Sequence, residues 1–362
     1  MSNIGTSLKN IFKMNKNLGI NLWNWSEYTS PHEKTLRNSK LGINLWNSFD
    51  RMPIHEKNLR NTTQQWSDMD NQETLKKLQQ QSTTTYTKDD FFYKFNSLGF
   101  RSSEFDNTED IKILYAGCSV TEGTGLPVNH IWGSFLNDQI SKETNKPIKF
   151  FSVARGGISI DTIIRYAYVA IEHTDFNPDF VYFMFPSILR REIIFAGYGS
   201  VCTANFIPGW QPPPDNCAAA AYVHLDALIN YRQSYNDCFR NLLFMKYYLM
   251  SKNIKWAFSF WNDELRPDQV TSAMGMEEDS DPSLPIELID HYIEGGLAFD
   301  SDIHEYGSLA EHKGEFEFVF PQSIARDGAH YGPNSHYNFA KNAYQYLSKK
   351  DFFRELLTKW KN

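Results

Sequence analysis

Two short stretches carry the residue types from which a nucleophilic site can be assembled. Ile111-Lys-Ile-Leu-Tyr-Ala-Gly-Cys-Ser119 runs an apolar, strand-forming segment into a turn of small residues, with a serine hydroxyl just past the strand's carboxyl end. A hydroxyl held where a strand turns into a helix is well placed for attack, and free backbone N–H groups at such a turn can hold an oxyanion. The same small residues also make an ordinary strand-to-helix turn. Near the other end of the chain, Arg326-Asp-Gly-Ala-His330 sets a carboxylate three residues before an imidazole. In that spacing Asp327 can accept the Nδ1–H of His330, leaving Nε2 to take the proton from a serine hydroxyl. Ser119, His330 and Asp327 would then be nucleophile, base and orienting acid of an acyl transfer.

These residues need a scaffold that brings positions more than two hundred apart into contact. The hydropathy pattern predicts strands over 111–116, 148–153, 180–185 and 254–260. Helices are predicted over 132–143, 162–173, 231–252, 335–347 and 351–359. Pro333, Asn334 and Ser335 start the fourth of these just after His330. Residues 180–185 are almost wholly apolar, as a strand covered on both faces must be. Alternating strands and helices imply an α/β fold with a parallel sheet between helices. Residues 87–106 are read as a lead-in segment covering one sheet edge. The pattern is interrupted at about 196–221, rich in Gly, Pro and small residues, and at about 264–320, which carries an acidic, Pro-containing run. Irregular insertions at the carboxyl side of a sheet shape a binding site or a subunit contact.

In order and spacing, residues 87–350 resemble the SGNH (GDSL-like) hydrolases: Gly117-Cys-Ser119 after the first strand, a Gly-rich turn after the second, and Asp327-x-x-His330 before the last helices. The resemblance implies a three-layer α/β/α, flavodoxin-like sandwich and hydrolysis of esters, in many members acyl groups on carbohydrates and in others on lipids. It implies Ser119 as nucleophile with Asp327 and His330 as its partners, and no cofactor or metal. The family's oxyanion glycine falls in Ala154-Arg-Gly-Gly-Ile-Ser159, with Gly157 the better match and Gly156 the alternative. The backbone N–H of Ser119 would be a second donor. Two departures stand out. Cys118 occupies the place of the family's Asp. The block after the third strand reads Phe185-Pro-Ser-Ile-Leu-Arg-Arg191, without the family's Asn. A missing oxyanion amide costs about 3 kcal/mol of transition-state stabilisation unless replaced. The Ser187 hydroxyl could replace it. Arg190 and Arg191 either contact the substrate or form ion pairs at the sheet edge.

Residues 1–86 read as a separate arm ahead of a hydrolase domain at 87–362. Leu18-Gly-Ile-Asn-Leu-Trp-Asn24 returns as Leu41-Gly-Ile-Asn-Leu-Trp-Asn47, and His32-Glu-Lys-Thr-Leu-Arg-Asn38 as His55-Glu-Lys-Asn-Leu-Arg-Asn61, both 23 residues on. Two such units carry too little apolar surface for a core of their own. The arm either folds back on its own domain or docks twice on a partner assembly, each Trp and Leu filling one of two equivalent pockets. A helix is predicted over 71–81, followed by a polar hinge at 82–85.

Composition bounds the rest. The 362 residues are 41% hydrophobic and 15% aromatic, enough for a substantial core. A net charge of −7 without a basic stripe argues against nucleic-acid binding. Cys118, Cys202, Cys217 and Cys238 show no CxxC or zinc spacing and are read as reduced thiols. No apolar run reaches membrane-spanning length and the amino terminus lacks a signal-peptide core, so a soluble chain made in the cytoplasm is expected. Gly117 to Gly125 lacks the Lys of a phosphate loop. His336 is read as a capping or packing residue, and Trp210, Tyr222 and Trp261 as aromatics suited to stacking on sugar. The expectation is therefore a serine esterase that removes O-acetyl groups from a polysaccharide, tethered by its arm to a larger assembly such as a virus particle. The alternative is an assembly or adhesion component with weak or no catalysis.

Overall fold

The computed structural model describes residues 58–67, 70–81, 84–174, 176–197, 200–206, 231–260, 320 and 324–362. The first repeat copy, most of the second, the stretch 264–319, and Trp210, Tyr222 and Trp261 lie outside them. Ahead of the main sheet come β1 (Thr63–Gln64), α1 (Gln72–Gln80) and β2 (Tyr93–Lys94). The α/β body begins with β3 (Ile113–Gly117), α2 (Ser119–Glu122), a 3-10 turn (Val128–His130) and α3 (Trp132–Thr144). It continues with β4 (Phe151–Ser152), α4 (Ile160–His173), β5 (Phe180–Phe185), β6 (Arg191–Gly197) and β7 (Ser200–Phe206). Then follow α5 (Tyr231–Ser251), β8 (Lys255–Phe260), α6 (Pro333–Leu347) and α7 (Asp351–Lys361). Among the described residues no helix is long and apolar enough to cross a membrane.

The central sheet is four-stranded and parallel in the order β4-β3-β5-β8, with Ile113 opposite Phe180 and Gly117 opposite Met184. Counted along the chain this is the order 2-1-3-4. The chain winds outward from β3 to β4, then returns across β3 to β5. Right-handed crossovers in opposite directions place their helices on opposite faces. All of β3 and β5 is buried, which is why both read as continuous apolar runs. Phe180 and Tyr182 meet Phe353 of α7 and Phe339 of α6, whereas Phe183 and Phe185 stack on each other and reach Trp256 and Phe258 of β8.

Several boundaries differ from those read in the sequence. Regular pairing in the second strand is confined to Phe151–Ser152, although Val153 and Arg155 still donate to the carbonyls of Tyr115 and Gly117 at 2.9 and 3.2 Å. The antiparallel ladder β6–β7, from Arg191↔Phe206 to Gly197↔Ser200, begins ahead of the Gly-rich stretch read from about residue 196 and takes up its first part. Its alternation was hidden by the small residues around the turn.

Contacts also cross residue 86, where the arm is read to end. Leu59, Leu75 and Tyr86 share a buried cluster with Phe91, Tyr93, Leu126 and Ala325. β1 pairs with β2 across the same boundary. Residues 102–103 then bond the backbone of β4's edge, Ser103 N–H to Phe150 and Ser152 N–H to the Ser102 hydroxyl, both at 2.9 Å.

Candidate active site

Each element delivers one part of the site for a local reason. β3 ends at Gly117, where a β-carbon would lie 2.1 Å from Thr121 Oγ1 and 2.8 Å from the Met184 carbonyl. Only glycine lets α2 turn back so tightly over the strand end. The single turn of α2 is closed by Thr121 and Glu122 N–H on the Cys118 carbonyl, and by Gly123 and Thr124 N–H on that of Ser119. Arg101, buried at 3% exposure, holds the next bend by donating to the carbonyls of Glu122, Gly123 and Leu126 at 3.1, 2.7 and 2.7 Å. Its guanidinium sits over the Tyr93 ring at 4.5 Å.

Asp327 and His330 stand on a tight turn closed by an Ile324↔Tyr331 bridge and by Ala325 N–H on the His330 carbonyl at 3.2 Å. Asp327 Oδ1 accepts the N–H groups of Ala329 and His330 at 3.2 and 3.1 Å. That leaves Oδ2 for the imidazole Nδ1, with which it forms a short hydrogen bond. A carboxylate only accepts, so Nδ1 carries the proton and the Nε2 lone pair faces Ser119. Ser119 Oγ lies 2.8 Å from Nε2. Ser119 is 7% exposed and the Asp327 side chain is wholly buried, while the His330 side chain keeps 15% exposure. The three sequence-predicted groups therefore meet in a Ser–His–Asp hydrogen-bonded chain, with the central imidazole its most exposed member.

The β4–α4 loop runs beside the nucleophile. A β-carbon on Gly156 would lie 3.8 Å from Ser119 Cβ. Glu122, buried three residues after Ser119, fixes this loop: its carboxylate accepts Gly156 N–H at 2.7 Å and pairs with Arg155 through a short contact. Gly156 N–H is thereby occupied. Gly157, at a φ of 76°, uses its N–H in no hydrogen bond among the described residues. Ser119 N–H, at the first position of α2, has no intrahelical acceptor. Of the two glycines read from the sequence, Gly157 is the one whose amide is available to an oxyanion.

The third strand delivers less. Ser187 follows β5, three residues beyond Met184, at the same sheet end as Ser119. Its Oγ accepts Leu189 N–H at 3.3 Å and its carbonyl accepts Arg190 N–H at 3.1 Å. Ser187 closes its own turn, with its hydroxyl proton still available to donate. Arg191, expected either on substrate or in an ion pair, pairs with Asp237 of α5 at 3.1 Å. The next residue, Glu192, pairs with Arg165 of α4. The β6–β7 hairpin is thus pinned to α4 and α5 by charge.

Sequence reasoning missed Glu122, Arg101 and Arg326. A lone buried charge carries no spacing signal, and the partners of these three are mostly backbone atoms of distant segments. His336 on the first turn of α6 caps a different helix: its Nδ1 accepts Trp132 N–H at 3.1 Å. Burial first, then the nearby His330 and His130, holds its pKa down at about 3. Cys118 and Cys238 are buried and form no disulfide. No family model and no curated protein matches the chain.

Proposed function

We propose that the chain is a serine esterase of the SGNH type that removes O-acetyl groups from a polysaccharide. One observation carries the reading. Ser119 Oγ stands 2.8 Å from His330 Nε2, whose Nδ1–H is held by Asp327. In the reaction, Nε2 takes the Oγ proton as Oγ forms a bond to the ester carbonyl carbon. The negative charge on the carbonyl oxygen is held by the N–H groups of Ser119 and Gly157, with the Ser187 hydroxyl in the place of the family's amide. His330 then gives the proton to the departing alcohol. Water, deprotonated by His330, cleaves the acyl-serine and restores the enzyme. Asp327 keeps the imidazole in the required tautomer and stabilises its charged form.

The fold is taken in this reading as a three-layer α/β/α sandwich, and the two Trp-bearing repeats as docking peptides for a large assembly such as a virus particle. The second reading, an assembly component with weak catalysis, is favoured by one feature: the turn after β5 carries no Asn, and Ser187 Oγ already accepts a backbone N–H. Hydrolysis of a chromogenic acetate ester by the purified full chain, beside Ser119→Ala, separates the two. Turnover that disappears in Ser119→Ala supports the esterase. Equal rates in both proteins, or none in either, sink it.

A further inference from the structure

Arg326 ties the segment just ahead of the sheet to the turn that bears Asp327 and His330. Arg326, the neighbour of Asp327, is fully buried, and among the described residues its side chain bonds to Gln65, Asp70, Lys88 and Phe91. Nε lies 3.1 and 2.9 Å from the two Asp70 oxygens. Nη2 reaches Asp70 Oδ2 at 2.6 Å and the Gln65 carbonyl at 2.7 Å, and Nη1 reaches the carbonyls of Lys88 and Phe91 at 3.2 and 3.3 Å. All five N–H bonds of the guanidinium are used. The rings of Phe91 and Trp66 lie 3.7 and 4.6 Å from it.

Asp70 passes this grip on to the nucleophile loop. It accepts Tyr93 Oη–H at 2.6 Å, and that hydroxyl accepts Gly125 N–H at 2.8 Å. The Gly125 carbonyl in turn accepts Arg326 N–H at 2.8 Å. Asp70, Tyr93, Gly125 and Arg326 thus form a closed ring of hydrogen bonds between the loop after Ser119 and the turn bearing Asp327. Leu78 of α1 covers the same turn, lying 3.1 Å from where a Gly328 β-carbon would be.

We propose that Asp70 and Tyr93 are positioning residues that set the distance between Ser119 and the Asp327–His330 turn, making the segment between the repeats and the sheet a working part of the catalytic unit. A buried ion pair by itself is weak support even for stability. The ring is different because it joins the two loops whose separation the reaction depends on. The kinetic side of the proposal rests on the esterase reading; the structural side does not.

The test uses the full chain as wild type, Asp70→Asn and Tyr93→Phe, each shown folded by circular dichroism at the assay temperature. Two quantities are read: kcat and KM on a chromogenic acetate ester, and the low-field proton resonance of the His330 Nδ1–H, assigned by its absence in His330→Gln. Displacement of reacting groups by about 1 Å lowers kcat by about 100-fold, so a fall of 10- to 100-fold with KM nearly unchanged is expected. The resonance should shift or broaden in both variants. Folded variants with wild-type kcat and an unmoved resonance overturn the proposal, since a merely stabilising pair would leave both untouched. If Asp70→Asn does not fold, Tyr93→Phe decides alone, because it leaves the Asp70–Arg326 pair in place. If the wild type cleaves no ester, the esterase reading has failed and the resonance decides the positioning role by itself.

Discussion

Asp327 does two jobs with its two oxygens. Oδ1 is held by the N–H groups of its own turn, so Oδ2 stays fixed on the imidazole. Asp327→Asn keeps the shape but supplies a donor where an acceptor is needed, favouring the wrong tautomer. The expected outcome is a fall in kcat of roughly 10³–10⁴-fold with a native fold, read from ester hydrolysis beside a circular dichroism spectrum. Glu122 supports the other side of the site. Glu122→Gln loses the ionised acceptor for Arg155 and weakens the hold on Gly156 N–H. Charge-assisted hydrogen bonds of this kind are worth about 1.5–3 kcal/mol, so urea unfolding should show a loss of that order. A several-fold fall in kcat should accompany it, because the Gly157 amide rides on the same loop.

At the scale of elements, helix ends and turns set the geometry. Gly125 has a φ of 77°, and a β-carbon there would fall 2.8 Å from Ala325 Cβ and 2.9 Å from Asp327 Oδ1. Gly125→Ala should therefore destabilise by about 1–3 kcal/mol in urea unfolding and, under the proposed function, lower ester turnover, since the clash pushes the Ser119 and Asp327 loops apart. α3 begins at Trp132, whose N–H is capped by His336 of α6, and this joint depends on pH. Unfolded, the imidazole titrates near its ordinary value of about 6.5; in the fold it is held at about 3. Between those values the unfolded chain binds more protons. The contribution is complete above the higher value and is lost as pH falls toward the lower, at about 1.4 kcal/mol per unit. His336→Asn, whose Oδ1 can still accept the Trp132 N–H, should flatten the slope of stability between about pH 4 and 6.5, measured by urea unfolding across that range.

For the whole molecule, topology is what assembles the site. With β3 and β5 adjacent and their crossovers leaving in opposite directions, the carboxyl ends of these strands border the crevice where ligands of open α/β sheets bind. Ser119 and Ser187 lie on its two sides, the β4–α4 loop adds the glycines, and the turn before α6 adds Asp327 and His330. The segment from residue 58 onward belongs to this body. Removing residues 1–81 takes away Asp70 and leaves the Arg326 guanidinium buried without its carboxylate, an error worth about 3–5 kcal/mol. A large drop in Tm and poor solubility are expected for that truncation. Removing residues 1–57 keeps every described contact around Arg326 and should lower Tm by less than that truncation does. Equal melting of the two truncations would mean that the Arg326 cluster contributes little.

The sequence by itself determined the alternation of strands and helices, because burial on both faces forces continuous apolar runs such as 180–185. It also marked Ser119, Asp327 and His330, since a carboxylate three residues before an imidazole, and a serine at a strand end, are local patterns. It left open which glycine amide is free and what Arg191 pairs with, and it put the start of the globular body at residue 87. Those were decided only in three dimensions. Glu122 takes the amide of Gly156 and leaves that of Gly157, and Asp237 takes Arg191. Asp70, 256 residues away in sequence, takes Arg326. Partnerships of this kind depend on distances between segments that no local spacing encodes, and a buried charge accepts whichever partner the packing brings to it.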